Sequence, residues 1–280
     1  MRNPFPKIGK VIKYDLKHSS KRLIPLYGVL LALGLLVGLC ISPDRQAELI
    51  SNGSATSTAM RYRDLITFSI LMLYIVFSCV AFVMTIVSIA KRFKQSMLEE
   101  EAYMNLSLPV TMGEHLWGKF ITGFIWMFIC CIVTFVSELF CLIRLGLTDI
   151  VKQVFAELPD FNAELSVYNL SIAKIFWIGM MVMVAATCFI ITLIYVVNSF
   201  GLIIKSRRSF WKVLIIVGLF YINSWIFRLV PAFETGVIPD AMVGAAVFRT
   251  FGLFSLILVL ISAVYFAVTQ YMFTKKLNLD

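Results

Sequence analysis

The sequence predicts an all-α, polytopic membrane protein. Of its 280 residues, 60% are hydrophobic and 15% are charged, which is more apolar than a soluble domain of this length. Apolar runs of about 18 residues or more are long enough to cross a bilayer as helices. Six such runs, each with at most one charged residue, cover most of the chain and leave no room for a separate soluble domain: residues 23–41, 65–90, 120–142, 175–204, 213–230 and 250–274.

The distribution of Lys and Arg predicts the orientation of these spans. Seven basic residues precede the first span, and further basic clusters lie at 91–94, at 205–212 and after the last span. In the other connections, acidic residues offset the basic ones. Because Lys and Arg accumulate on the cytoplasmic side, six spans with both termini in the cytoplasm satisfy every segment. The net charge of +9 then reflects this bias and does not indicate a nucleic-acid partner.

Residues 1–22 are predicted to form a cytoplasmic, interfacial amphipathic helix. At 100° per residue, one arc is apolar and the opposite arc carries lysines. The apolar residues are Ile8, Val11, Ile12 and Leu16, and the lysines are Lys7, Lys10, Lys13, Lys17 and Lys21. Such a helix lies on an anionic leaflet, to which each lysine is attracted by about 1 kcal/mol. The alternative, a solvated basic tail, would not need the apolar arc.

Residues 23–280 are predicted to form a single six-helix transmembrane domain. Ser19 and Ser20 can cap a helix, so we expect a new helix to begin there and the chain to bend into the first span. In that span, Gly34 and Gly38 form a small-xxx-small pair, which lets another helix approach closely. The approaching helix belongs either to a second copy of the chain or to the same subunit.

Two segments are predicted on the outer side. The outer segment 143–174 contains apolar residues at helical spacing before Pro159, which indicates an amphipathic helix resting on the membrane. Residues 228–249 contain Pro231 and Pro239 and are predicted to form a partly buried outer hairpin.

Four polar residues lie in or beside the predicted spans: Glu138, Asn198, Asn223 and Arg228. Polar side chains at membrane depth are costly unless they line a pathway, pair inside the bundle or reach an interface. Glu138 is close to the outer end of its span, where a solvated interfacial residue and a role in transport are both open. For the others, a role in a pathway and pairing inside the bundle both remain open.

No arrangement of residues predicts enzymatic chemistry. Gly113, Gly118 and Lys119 fit the first positions of a nucleotide-binding P-loop, but Phe120 replaces the magnesium-binding Ser or Thr and no strand precedes the motif. No acid–base, nucleophile or metal-ligand pattern is recognisable, and the six cysteines lie in or beside apolar runs, as packing residues do. We therefore expect no catalytic residue, metal site or cofactor in this chain.

The most ordered polar stretch of the sequence lies between the second and third spans, at residues 91–119, and we call it the polar segment. It begins with basic residues, continues with three glutamates, and reads EEAYMNLSLPVT over residues 100–111 before Gly118-Lys119 leads into span three. This pattern resembles the small bacterial permeases of type-2 ABC exporters, which commonly show acidic-Gly-Tyr-x-Leu-Thr-Leu-Pro-Val-Ser followed by Gly-Lys. Here Ala102 stands in place of Gly and Thr111 in place of Ser. The predicted layout of six spans and an interfacial helix is similar to that family as well.

The resemblance implies a permease subunit that pairs with a second permease copy, identical or related, and binds two separate ABC ATPase subunits that hold the ATP and Mg. The polar segment would be the inner coupling loop that docks on the ATPase. Its docking residues would be Glu99, Glu100, Glu101, Tyr103, Leu106, Leu108 and Pro109. From spacing alone, the glutamates are equally well explained as a solvated helix face.

The implied activity is ATP-driven export across the bacterial plasma membrane. Apolar spans with few polar groups favour a hydrophobic or amphipathic peptide or drug as the cargo, and membrane lipids are expected partners of the basic helix. Two other classes of protein are open. A scaffold or immunity protein would have no ATPase partner, and a secondary transporter would show intramembrane ionisable residues and internal repeats, neither of which is clear in this sequence.

Overall fold

The computed structural model describes residues 5–40, 58–98, 111–141, 147–200, 208–228 and 240–276. These residues form seven α-helices, and a short turn at residues 168–171 joins the fourth helix to the fifth. The helices are α1 Phe5–Cys40, α2 Thr58–Leu98, α3 Met112–Cys141, α4 Leu147–Val167, α5 Ile172–Phe200, α6 Arg208–Phe227 and α7 Asp240–Lys276. The prediction of an all-α protein is confirmed for these parts of the chain.

Five of these helices are long and apolar enough to cross a membrane. The candidate spans are Val11–Cys40, Leu65–Met97, Met112–Cys141, Ile172–Phe200 and Met242–Lys275. Their lengths of 29 to 34 residues correspond to about 43–51 Å of helix, more than the ~30 Å hydrocarbon core of a bilayer. The apolar part of α6, Val213–Phe227, is shorter. The chain is therefore a multi-pass membrane protein.

The expected helix start at Ser19-Ser20 is wrong. α1 continues as one helix of 36 residues through both serines and through Pro25. One buried row runs along it at intervals of three or four residues: Asp15, Ser19, Leu23, Tyr27, Leu30, Gly34 and Val37. Because Ser19 lies in this row, its side chain takes part in packing, and the continuous buried face outweighs the tendency of serine to cap a helix.

The amphipathic helix predicted in the outer segment is α4. It extends through Pro159 to Val167 and is followed by a turn in which Asn169 has a φ of 56°. The N–H of Gly244 donates to Tyr168 O at 2.8 Å, which joins this turn to the beginning of α7. A Cβ at Gly244 would lie 2.5 Å from the same oxygen, so only glycine fits there. In the predicted hairpin 228–249, residues 240–249 are helical, and residues 229–239 are not among those that the structure describes.

Contacts divide the chain into two units, and the first comprises Leu16–Ser88 and Ile125–Glu157. Its core is formed by Leu30, Val37, Tyr74 and Ala81. A Cβ at Gly34 or Gly38 would overlap Ser137 or the Phe140 carbonyl of α3, and Ser137 Oγ donates to Leu30 O at 2.9 Å. The small-xxx-small pair is thus used for packing within the subunit.

The second unit comprises Met1–Asp15, Ile89–Phe124 and Leu158–Asp280. In it, α5 packs against α7 along much of its length. The two helices run parallel, since the turn before α5 contacts Gly244 and the ring of Phe189 lies 6.1 Å from that of Tyr265. α6 joins them through a cluster around Val196, Ile261 and Tyr265. The same unit also holds the ends of α1, α2 and α3 that adjoin the polar segment.

Candidate functional site

A buried cluster of charges lies where α1, α2 and α3 meet, and it includes residues from both ends of the polar segment. Both oxygens of the Asp15 carboxylate, on α1, accept hydrogen bonds from cations of other helices. Arg92 Nε of α2 donates to Oδ1 at 2.8 Å, and Lys119 Nζ of α3 donates to Oδ2. The side chains of Asp15, Lys119 and Arg92 are 3%, 6% and 15% exposed. We call these three residues the charge cluster.

Burial makes the interactions of the charge cluster strongly interdependent. Moving charged groups out of water costs several kcal/mol per ion, and the cost is recovered only when each ion keeps a well-placed opposite charge. Arg92 and Lys119 each make further interactions beyond those with Asp15. The three charged groups come from three helices. Separating any of these helices would therefore expose a buried charge to water or leave it without an opposite charge.

An aromatic cluster lies next to the charge cluster. Phe93, next to Arg92, is stacked on Tyr195 of α5, with ring centroids 4.1 Å apart, and meets Phe273 of α7 edge-on at 5.9 Å. All three rings are almost completely buried. Such ring pairs contribute about 0.5–1.5 kcal/mol each beyond the burial of their area. The end of α2 is therefore fixed to α5 and α7 as well as to α1.

The beginning of α3 is held in a similar way. Thr111 N donates to Glu114 Oε2 at 2.8 Å, and Glu114 N donates to Thr111 Oγ1 at 3.4 Å. This reciprocal pair is a capping box, in which Thr and Ser serve equally well. One turn later, Trp117 packs on Phe266 of α7, with centroids 4.8 Å apart. The polar segment thus enters α3 at a well-defined helix start that is also packed against α7.

This arrangement is suited to holding helices together and not to chemistry at a substrate. Both cations are already engaged by a carboxylate. The stretch from Gly113 to Lys119 lies inside α3, so it cannot form the phosphate-binding loop that its letters suggest. The charge cluster is best described as a joint between helices.

The predicted docking residues are not among the residues that the structure describes. Leu98 ends α2 and Thr111 precedes α3, while all seven residues fall between them: Glu99, Glu100, Glu101, Tyr103, Leu106, Leu108 and Pro109. What the structure adds is the placement of both flanking helices. On the predicted membrane-surface helix, Lys13, Lys17 and Lys21 are exposed. The side chains of Lys7 and Lys10 are not among those that the structure describes.

The four polar candidates occupy different environments. Asn223 is buried, and its Oδ1 accepts a hydrogen bond of 2.9 Å from the hydroxyl of Tyr265, so it pairs α6 with α7. The amide nitrogen of Asn198 donates to Ile194 O of its own helix at 2.9 Å. Glu138 and Arg228 are exposed. The structure does not bring these four residues together at one site.

The reasoning from sequence missed Asp15. A signal was present, because Asp15 follows Val11 by four residues and Ile12 by three, which puts a carboxylate on the apolar arc of the amphipathic helix. A lone acid on such a face predicts a buried cationic partner. Lys119 was interpreted as a charge of the connecting loop, yet it lies inside α3 and is buried.

Comparison of the chain with protein-family models, with curated proteins and with solved structures gives no match. The fold and the charge cluster are therefore the basis for describing the chain, as a multi-pass helical membrane protein in which buried charges at the two ends of the polar segment join three helices.

Proposed function

We propose that this chain is the transmembrane permease subunit of an ABC exporter in the bacterial plasma membrane. It has six spans and both termini in the cytoplasm, and α1 begins with a lysine-rich stretch. The polar segment docks on an ABC ATPase subunit, and the complex contains two ATPase subunits with their ATP and Mg, together with a second permease copy. The cargo is a hydrophobic or amphipathic peptide or drug.

The observation that carries the proposal is the position of the charge cluster. Arg92 lies shortly before, and Lys119 shortly after, the stretch that resembles the coupling element of these permeases, and Asp15 binds both. A docking element can move transmembrane helices only if it is firmly connected to them. The charge cluster and the stack of Phe93 on Tyr195 supply such a connection to α1 and α5.

The parallel packing of α5 and α7 supports six spans. Two spans that run in the same direction require the chain to cross the membrane once between them. α6 is the helix described in that interval, and its 20 residues reach about 30 Å, close to the thickness of the hydrocarbon core.

Co-purification in mild detergent tests the docking on an ATPase. We compare the wild-type chain with a variant in which Glu99, Glu100 and Glu101 are changed to Lys. A matched control changes Glu157, Asp160 and Glu164 to Lys, because these three acids lie on α4 with exposed side chains and on the predicted opposite side of the membrane. Both variants change the net charge by the same amount.

We expect an ABC ATPase to accompany the wild type and the α4 variant in stoichiometric amounts and to be lost from the variant at 99–101. A wild-type chain that purifies without an ATPase would contradict the exporter and favour a scaffold or immunity protein. Equal loss in both variants would show that net charge, and not the polar segment, determines binding.

A further inference from the structure

A long apolar groove lies between α5 and α7. Its volume is about 650 Å³, and its walls are formed by residues 177–185 of α5 and 248–259 of α7. The single hydroxyl among the lining side chains belongs to Ser255, and this hydroxyl donates to Phe251 O of its own helix at 2.8 Å. Trp177 contributes the other polar atom of the lining side chains, its indole nitrogen, so a ligand in the groove would meet mainly hydrocarbon and sulfur surface.

The length of the groove matches one leaflet of a bilayer. From Phe248 to Val259 the helix rises by about 17 Å, and half of the hydrocarbon core is about 15 Å. The groove is open above Gly252, where an added Cβ would have no other atom within 4 Å. An extended hydrocarbon chain fits a slot of this length and chemistry.

By their positions along the helices, two cations that do not line the groove are close to the end where α5 begins. Lys174 continues the row of Ile178, Met181 and Ala185 on the same face of α5, and Arg249 of α7 precedes Gly252 by three residues. Because Tyr168 contacts Gly244 and Phe189 contacts Tyr265, Lys174 and Arg249 lie at similar heights. Trp177 follows Lys174 by about one helical turn, and its exposed ring is typical of a membrane interface.

The ammonium of Lys174 already donates to Asn169 O at 3.1 Å and to Asn169 Oδ1 at 3.5 Å. An ammonium group carries three donors, so these bonds hold the side chain in place and leave one donor for a phosphate oxygen. Arg249 is exposed and can offer the bidentate contact that guanidinium groups make with phosphate.

We infer that this groove binds a membrane phospholipid, with one acyl chain along Gly252 and the phosphate between Lys174 and Arg249. The inference does not depend on the exporter function, because it rests only on the membrane location and on the geometry of α5 and α7. The occupant is a lipid because the groove lies within two candidate spans and combines a tail-length apolar slot with cations at one end.

Photolabelling in vesicles tests the inference. The full chain is reconstituted in phosphatidylcholine containing a small fraction of phosphatidylglycerol with a photoactivatable group on one acyl chain, and labelled residues are mapped by mass spectrometry. Met181 lines the groove and is 40% exposed, whereas Met72 on α2 is 43% exposed and lies outside it. We expect labelling of Met181 to exceed that of Met72 by at least about fivefold, the effect of one cation near the membrane surface.

Two matched variants separate a groove from general contact with lipid. Gly252→Phe fills the slot, whereas Gly179→Phe adds the same ring on α5 at a position that does not line the groove and where a Cβ would also meet nothing within 4 Å. We expect only Gly252→Phe to reduce labelling of Met181 to the level of Met72. Lys174→Gln and Arg249→Gln should each lower it by about fivefold.

Equal labelling of Met181 and Met72 in the wild type would overturn the inference without any variant, so a poorly folding Gly252→Phe would not prevent a decision. Unchanged labelling in a folded Gly252→Phe would also overturn it. So would disulfide cross-linking between two copies carrying Met181→Cys with no lipid label at that position, because a second chain would then occupy the groove.

Discussion

Asp15 is the residue on which the charge cluster depends. Its carboxylate is the shared partner of Arg92 and Lys119, and all three side chains are largely removed from water. Replacing a complete buried ion cluster by apolar residues is often neutral, but removing one member leaves buried charges without compensation. The charge cluster is therefore more sensitive to a single change than to a concerted one.

We expect Asp15→Asn to lower the free energy of unfolding by about 3–5 kcal/mol. Asparagine keeps the shape of the side chain but removes the negative charge that both cations face. The measurement is the midpoint of thermal unfolding in detergent. Lys17→Gln, an exposed change on the same helix, is the control and should alter the free energy of unfolding by no more than about 0.5 kcal/mol.

A double variant, Asp15→Asn with Lys119→Met, separates charge from shape. Removing one of the two cations together with the carboxylate leaves less buried charge unbalanced, so the double variant should be more stable than Asp15→Asn alone. Equal midpoints for Asp15→Asn and Lys17→Gln would contradict the importance of the charge cluster.

At the scale of helices, α1 combines two kinds of surface. Its buried row begins with the polar Asp15 and Ser19 and continues with apolar and glycine residues as far as Val37. The glycine part allows the backbone of α1 to approach α3 so closely that a methyl group would not fit. In a membrane, where lipid competes equally well for apolar surface, such close packing is a principal source of helix association.

Gly38→Ala should destabilise the protein by about 1–3 kcal/mol, the usual cost of overpacking, since the added Cβ would overlap the Phe140 carbonyl oxygen. Gly28→Ala on the same helix is the control, because a Cβ there meets nothing within 4 Å. That change should be neutral or stabilising by up to ~1 kcal/mol through helix propensity. If the two variants have the same unfolding midpoint, the contact between α1 and α3 is not as close as the structure indicates.

The helical elements were predictable from sequence because long apolar runs leave few alternatives in a bilayer. The continuity of α1 through Ser19 and Pro25 was not, because local capping and proline signals say nothing about the face that tertiary packing selects. The interaction of Asp15 with Lys119 joins positions 104 residues apart, and no local pattern specifies which buried charges pair. For Gly34 and Gly38, the sequence predicted a close approach but not the identity of the approaching helix.

At the scale of the whole molecule, the number of spans depends on α6. Five spans would place the end of α7 on the side opposite to the end of α2, and six would place both on the same side. The parallel packing of α5 and α7 favours a crossing between them, and α6 is the helix described in that interval. Arg228, directly after α6, is exposed and can extend toward the headgroups, which would compensate for the short apolar part, Val213–Phe227.

The accessibility of introduced cysteines tests the number of membrane spans. In a chain whose six native cysteines are replaced, single cysteines are introduced at Lys94, Lys152 or Lys275, all of which have exposed side chains, and intact cells are treated with a membrane-impermeant maleimide. Six spans with cytoplasmic termini predict that Lys152→Cys reacts directly and that Lys94→Cys and Lys275→Cys react only after permeabilisation. If α6 does not cross, Lys275→Cys will react in intact cells together with Lys152→Cys. That result would make α5 and α7 antiparallel in the membrane, contradict their parallel packing, and remove both the six-span permease and the common end at which Lys174 and Arg249 are placed.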